Sequence, residues 1–130
     1  MTKSSVAIIG AGAAGLMAAE VLSAYDIDIQ VFDQKPTAAR KILMAGKTGL
    51  NISHNEPMAD FVTRYTPSDW LMPYVQAFGA DDIRAWMTSL GIASYVGSTG
   101  RIFPVEMKAS KLVRAWLNRL HNHQVKFHYR

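Results

Sequence analysis

The chain has 130 residues, of which 49% are hydrophobic and 18% charged, and it contains no cysteine. This balance excludes a disordered segment, a membrane span of ~18 uncharged apolar residues, and any disulfide, thiolate metal site or catalytic thiol within these residues. Residues 1–65 carry six basic and six acidic groups, so the net charge of +4 arises after residue 65, mostly where Arg101, Lys108, Lys111, Arg114, Arg119, Lys126 and Arg130 stand against Glu106.

Val6–Ile9 is a short continuous apolar run, the pattern of a strand buried on both faces. It is too short for the apolar core of a secretion signal, and a cytoplasmic location is the default. A helix is expected from about Ala13 to Ala24, with Leu16, Ala19 and Leu22 on one face. Ile27, Ile29 and Val31 alternate with Asp28 and Gln30, which predicts a second strand parallel to the first. Residues 34–55 read as a loop, with Pro36, Gly46 and Gly49. Thr66 and Pro67 predict the cap and first position of a helix that Gly79 ends. Asp81 is expected to cap the next helix, with Ile83, Trp86, Met87 and Leu90 as its stripe and Gly91 at its close.

Ile92–Val96 reads as a strand, Gly97–Gly100 as a turn, and Ile102-Phe103 as a short extended piece. The last helix is expected over Ser110–Leu120, with Leu112, Val113, Trp116, Leu117 and Leu120 inward, and Val125–Tyr129 as a closing strand. Trp70, Trp86 and Trp116 are expected in the core. His121, His123 and His128 are expected to be solvated rather than metal-bound. The basic C-terminal half carries no nucleic-acid motif, and a solvated helix face is the expectation for it.

Gly10-Ala11-Gly12-Ala13-Ala14-Gly15 is a G-x-G-x-x-G between a strand and a helix. Gly10 permits the tight turn, Gly12 lets a diphosphate approach the backbone, and Gly15 lets helix and strand pack closely. The diphosphate would then meet free N–H groups at the helix's positive end. Asp33 follows Gly15 by 18 residues, at the end of the second strand, where a carboxylate accepts hydrogen bonds from a ribose diol and repels a 2′-phosphate. The fold class is α/β, a parallel sheet of the Rossmann type. NAD and the ADP half of FAD present the same groups to such a fold, and both stay open at this point.

Two further stretches carry a resemblance. Arg40-Lys41-Ile42-Leu43-Met44-Ala45-Gly46-Lys47-Thr48-Gly49-Leu50-Asn51-Ile52-Ser53 is similar to the Gly-Arg-Lys, apolar trio and Ser-Gly-Gly-Gly-Arg-Cys-Asn of the HI0933-like (BaiN-type) NAD(P)/FAD-dependent flavoproteins. Gly100-Arg101-Ile102-Phe103-Pro104, with Lys108-Ala109, resembles that family's Gly-Arg-Val-Phe-Pro and Lys-Ala. Ala39 stands where the family has Gly, and Leu50 where it has Cys.

The resemblance implies that residues 1–130 are the N-terminal portion of a longer FAD/NAD(P)-binding domain, incomplete and with an added helical segment. Its parts are a βαβ unit at 5–33, a flavin loop at 34–55, a helical segment at 57–91, and a turn and helix at 92–130. It further implies a parent oxidoreductase passing hydride between NAD(P)H and a small organic substrate. FAD would be held by Gly10, Gly12, Ala13, Ala14, Gly15, Asp33, Gln34, Lys35, Arg40, Lys41, Gly46, Lys47, Gly49 and Asn51. No catalytic residue is identified, and His54 is the one histidine near the implied flavin.

These residues alone are expected to be inactive and to hold FAD weakly, and apolar surface meant for absent strands invites self-association. The alternatives are a NAD-only dehydrogenase domain and a non-catalytic nucleotide-binding module whose basic face holds nucleic acid.

Overall fold

The computed structural model describes residues 2–130. The chain divides into two units. One joins the N-terminal stretch through Lys47 to Ala109–Arg130, and the other is Thr48–Lys108.

The first unit is a three-stranded parallel sheet with helices. Strand β1 is Ser4–Ile9, helix α1 is Ala13–Leu22, strand β2 is Ile27–Asp33, and a six-residue helix α2 is Arg40–Ala45. After the second unit the chain returns with α6, Ala109–Asn122, and β6, Lys126–Tyr129. The strand order is β1-β2-β6, with Val6 beside Ile29, Ile8 beside Val31, and Asp33 beside Tyr129. The expected βαβ unit and closing strand are therefore present, and the structure shows that strand to pair parallel with β2. Helix α2 lies inside the stretch read as a loop. Its Arg-Lys-Ile-Leu-Met-Ala run consists mostly of good helix formers, and the nearby glycines hid it.

The sheet corrects one expectation about burial. β1 is not buried on both faces, because Ile9 is 83% exposed and Ala7 is exposed as well. Ile29 and Val31 are buried while Phe32 of the other face is 38% exposed. Successive right-handed crossovers in one direction put their helices on the same face. The opposite face is left with Ile9, Phe32 and a polar ladder in which Lys126 and Gln30 both bond Asp28, and His128 bonds Gln30. His128 also stacks on Phe32, and His121 packs against Phe127, so two of the three clustered histidines do more than meet solvent. On the covered face the core is Leu16, Ala19, Leu112, Val113, Trp116 and Leu120, the stripe expected of α6 except that Leu117 is half-buried.

The second unit holds a three-stranded antiparallel sheet in the order β3-β5-β4, formed by Ser53–His54, Arg101–Pro104 and Ser94–Val96. Its helices are α3, Met58–Phe61, continued by a 3-10 turn Val62–Arg64, then α4, Ser68–Ala77, and α5, Ala80–Ser89. Ile102 of the central strand and Met87 of α5 are fully buried. Three expectations shift here. Pro67 is the N-cap of α4 rather than its first residue. Gly79 follows Phe78, the C-cap of α4, as expected, and also caps α5: its N–H donates to Asp82 Oδ2 at 2.8 Å, so Asp82 and not Asp81 reaches back to the cap. Trp70 is 65% exposed and not core, because it lies on the outer side of α4 beside Tyr74.

Candidate functional site

The site starts from the turn between β1 and α1. Gly10 has φ 107°, a left-handed conformation that favours glycine, and its N–H donates to the Phe32 carbonyl at 2.7 Å. A Cβ at Gly15 would collide with the Gly10 carbonyl, so the close approach of helix and strand needs glycine there. A Cβ at Gly12 would meet nothing within 4 Å, leaving open space in front of the loop. The first i→i−4 bond of α1 runs from Leu16 N–H to the Gly12 carbonyl at 2.9 Å. The N–H groups of Ala13, Ala14 and Gly15 precede it, and no side chain caps the helix. Gly12, Ala13 and Ala14 are exposed, so this helix end faces solvent with its donors and dipole unopposed.

Asp33 closes the arrangement. Its Oδ2 accepts the Ala11 N–H at 2.7 Å and its Oδ1 accepts the Lys35 N–H at 2.8 Å. Those bonds, the Lys35 one first and then Ala11, hold its carboxyl below the ordinary value of 3.8, with smaller contributions from the Lys35 and Arg40 charges. Each oxygen spends one lone pair in this way and keeps another for a diol. Ala11 is held from its other side too, because its carbonyl accepts the Ala39 N–H at 2.8 Å. The glycine turn is thus clamped between the end of β2 and the turn into α2.

Ala11 and Ala39 are site residues that sequence patterns missed. Ala39 is 1% exposed and sits at φ 58°, the left-handed region. The signal was available: glycine occupies that place in the resembling sequences, and a left-handed position is the reason to expect it. Tyr129, the cross-strand neighbour of Asp33, was missed as well. Burial pushes its hydroxyl pKa up, and the Asp33 charge adds to the rise.

The remaining expected residues separate into two groups. Gln34, Lys35, Arg40, Lys41, Gly46 and Lys47 belong to the same unit as the glycine turn, whereas Gly49 and Asn51 belong to the other. Arg40 opens α2, is exposed, and donates to Thr37 Oγ1 at 3.1 Å. Lys41 and Lys47 are exposed. The Gly46 N–H is already used, donating to the Ile42 carbonyl at 2.9 Å. Gly49 has φ 151°, and Asn51 is exposed at the mouth of a cavity in its own unit.

A parallel β1-α1-β2 unit, a glycine turn with an open helix end, and an acid at the end of the second strand together define a dinucleotide-binding domain of the Rossmann type. The chain belongs to the family of HI0933-like protein Rossmann domains, which it matches over residues 4–130, and the domain is of the flavoprotein type. Among solved structures it is similar to THI4 of Thermovibrio ammonificans, at 14% identity and a TM-score of 0.61 over 98% of this chain. At that identity the likeness is one of fold, and the chain spans 38% of that protein's length. No curated protein matches it. Among the described residues, no helix is long and apolar enough to cross a membrane.

Proposed function

We propose that these residues form the N-terminal, FAD-holding part of a longer oxidoreductase that passes hydride from NAD(P)H to a small organic acceptor. The observation that carries nucleotide binding is the Asp33 carboxylate bonded to the Ala11 N–H, which sets an acceptor for the ribose diol directly beside the open helix end, and the choice of FAD over NAD follows the family match. Gly10 and Gly12 let the diphosphate approach, and the N–H groups of Ala13, Ala14 and Gly15 donate to it. Lys35 and Arg40 offset its two negative charges, and hydrogen bonds to ionised groups are the stronger kind. Gly12 supports the fit, because the space a Cβ would take is open.

The bound flavin supplies the two-electron chemistry. Binding and orientation of the nucleotide are the tasks of the chain's own residues. Lys41, Gln34, Gly46, Lys47, Gly49 and Asn51 are assigned to the cofactor by the resemblance alone. The location proposed is the cytoplasm, and the partners are the dinucleotide and the small substrate.

The test is the absorption and mass spectrum of the small molecule released from the full-length protein. Release of FAD, with the 130-residue chain alone inactive and retaining less of it, is the expected result. Release of NAD would make this a dehydrogenase domain. Salt-dependent nucleic-acid binding with no nucleotide released would replace catalysis with a binding role.

A further inference from the structure

Within the unit Thr48–Lys108, residues 49–52 lead into β3 and are tied down at two points. The Leu50 N–H donates to the Met107 carbonyl at 3.3 Å, and the Ile52 N–H donates to the Ile102 carbonyl at 2.9 Å. The Leu50 side chain is buried and anchors the same stretch. Asn51 lies between these fixed residues and is exposed. Among the described residues, neither its N–H nor its side-chain amide makes a hydrogen bond.

Met107 holds this stretch through its side chain as well as its carbonyl. A Cβ at Gly49 would lie 2.9 Å from Met107 Cε, so the end of the methionine rests against the Gly49 backbone. Gly49 is needed twice over, by that contact and by its φ of 151°. Met107 itself sits at φ 61°, in the left-handed region, at the end of a turn in which its N–H donates to the Pro104 carbonyl at 2.9 Å. A residue other than glycine stays there only where its surroundings over-determine it. One such constraint is visible: the Tyr95 hydroxyl donates to Met107 Sδ at 3.1 Å, and Tyr95 is itself paired with Phe103 across β4 and β5.

We infer that Met107 is a positioning residue for the cofactor: its side chain, held at the sulfur by Tyr95, sets the path of Gly49 and Leu50 and so presents the free N–H and amide of Asn51 to the flavin. The inference rests on the proposed function, in which Gly49 and Asn51 belong to the cofactor. An amide side chain offers two donor hydrogens and an acceptor oxygen, which suit the carbonyl oxygens and ring nitrogens of a flavin. Fixing the residues on either side of Asn51 before binding lowers the cost of ordering it when the ligand arrives. Met107 acts through Gly49, Leu50 and Asn51 and makes no cofactor contact of its own.

The test compares FAD with ADP, each titrated into the full-length protein stripped of its nucleotide. ADP carries the diphosphate and ribose assigned to the glycine turn and Asp33 and lacks the flavin. Met107→Gly suits a backbone at φ 61° and removes the side chain. Its FAD affinity should fall roughly tenfold while its ADP affinity stays within about twofold of the parent. Tyr95→Phe keeps the ring and removes only the hydroxyl, and should weaken FAD roughly threefold with ADP again unchanged. A substitution that merely loosened the fold would weaken both ligands alike. A ratio of FAD to ADP affinity that is unchanged in Met107→Gly would overturn the inference and leave the proposed function standing. An unchanged ratio in Tyr95→Phe would strike out the part given to the hydroxyl. If Met107→Gly does not fold, Tyr95→Phe decides by the same ratio. A parent protein that binds FAD no more tightly than ADP would instead overturn the proposed function, and this inference with it.

Discussion

The glycine turn of one unit and the cavity of the other are built from different materials. In the unit with the parallel sheet, the chemistry belongs to the backbone: an open helix end, a left-handed glycine, a missing Cβ at Gly15, and one carboxylate bonded to two main-chain N–H groups. In Thr48–Lys108 the cavity is formed by side chains from β3, α3, α4 and α5 and the residues next to them. A backbone site demands glycine at fixed spacing, and that demand is visible in any single sequence. A side-chain cavity can be lined by many combinations of apolar residues and leaves no such mark.

That contrast can be tested by substitution, beginning with the largest effect. Gly15→Ala places a methyl group on the Gly10 carbonyl, where backbone cannot yield as a flexible side chain could. We expect a loss of more than about 3 kcal/mol in urea denaturation, together with loss of nucleotide binding. Leu16→Ala and Met87→Ala each empty a fully buried position, one in each unit, and should cost about 2–5 kcal/mol. Hydrogen exchange sharpens the comparison. Met87→Ala should quicken exchange within Thr48–Lys108 and leave β1 and α1 protected, whereas Leu16→Ala should do the reverse.

Asp33→Asn keeps the size of the side chain but removes the charge and one acceptor, so that either the Ala11 or the Lys35 N–H faces an amide NH2. FAD affinity should fall roughly tenfold by titration of the full-length protein. The acid side of the stability curve should change as well. Because the native pKa of Asp33 lies below 3.8, its contribution is fully present above the ordinary carboxylate range and is lost as pH falls through the lowered value. Acid denaturation of Asp33→Asn should lack that part of the transition.

The smallest effect is at Ala39. Replacement by glycine relieves a left-handed alanine, about 1–2 kcal/mol. It also adds unfolded-state entropy of about 0.5–1 kcal/mol and loses one buried methyl of about 0.8 kcal/mol. These nearly cancel, so Ala39→Gly should lie within about 0.5 kcal/mol of the parent. Ala39→Val, branched and buried at the same φ, should destabilise by more than about 2 kcal/mol.

The sequence by itself determined the order β1-α1-β2, the glycine turn, the acid that ends β2, most of the inward stripe of α6 and the existence of the closing strand. Each rests on interactions within a few residues or on a periodicity that one segment displays alone. Residues close in sequence also carried the cues for α4 and α5, although Pro67 stands one place before its expected position and the cap of α5 is Gly79 rather than Asp81.

The tertiary structure decided what depended on partners far along the chain. Ile9 is exposed because the helices of its unit lie on the other face of the sheet, and Trp70 because α4 turns it outward. Asp33 reaches Ala11 across 22 residues, and Ala39 meets the same residue from the far side of the turn. His54 Nε2 finds the Thr99 carbonyl 45 residues on, while the Ser53 hydroxyl finds no partner. Burial and hydrogen-bond satisfaction are set by which surfaces meet, and no local pattern of residues records that.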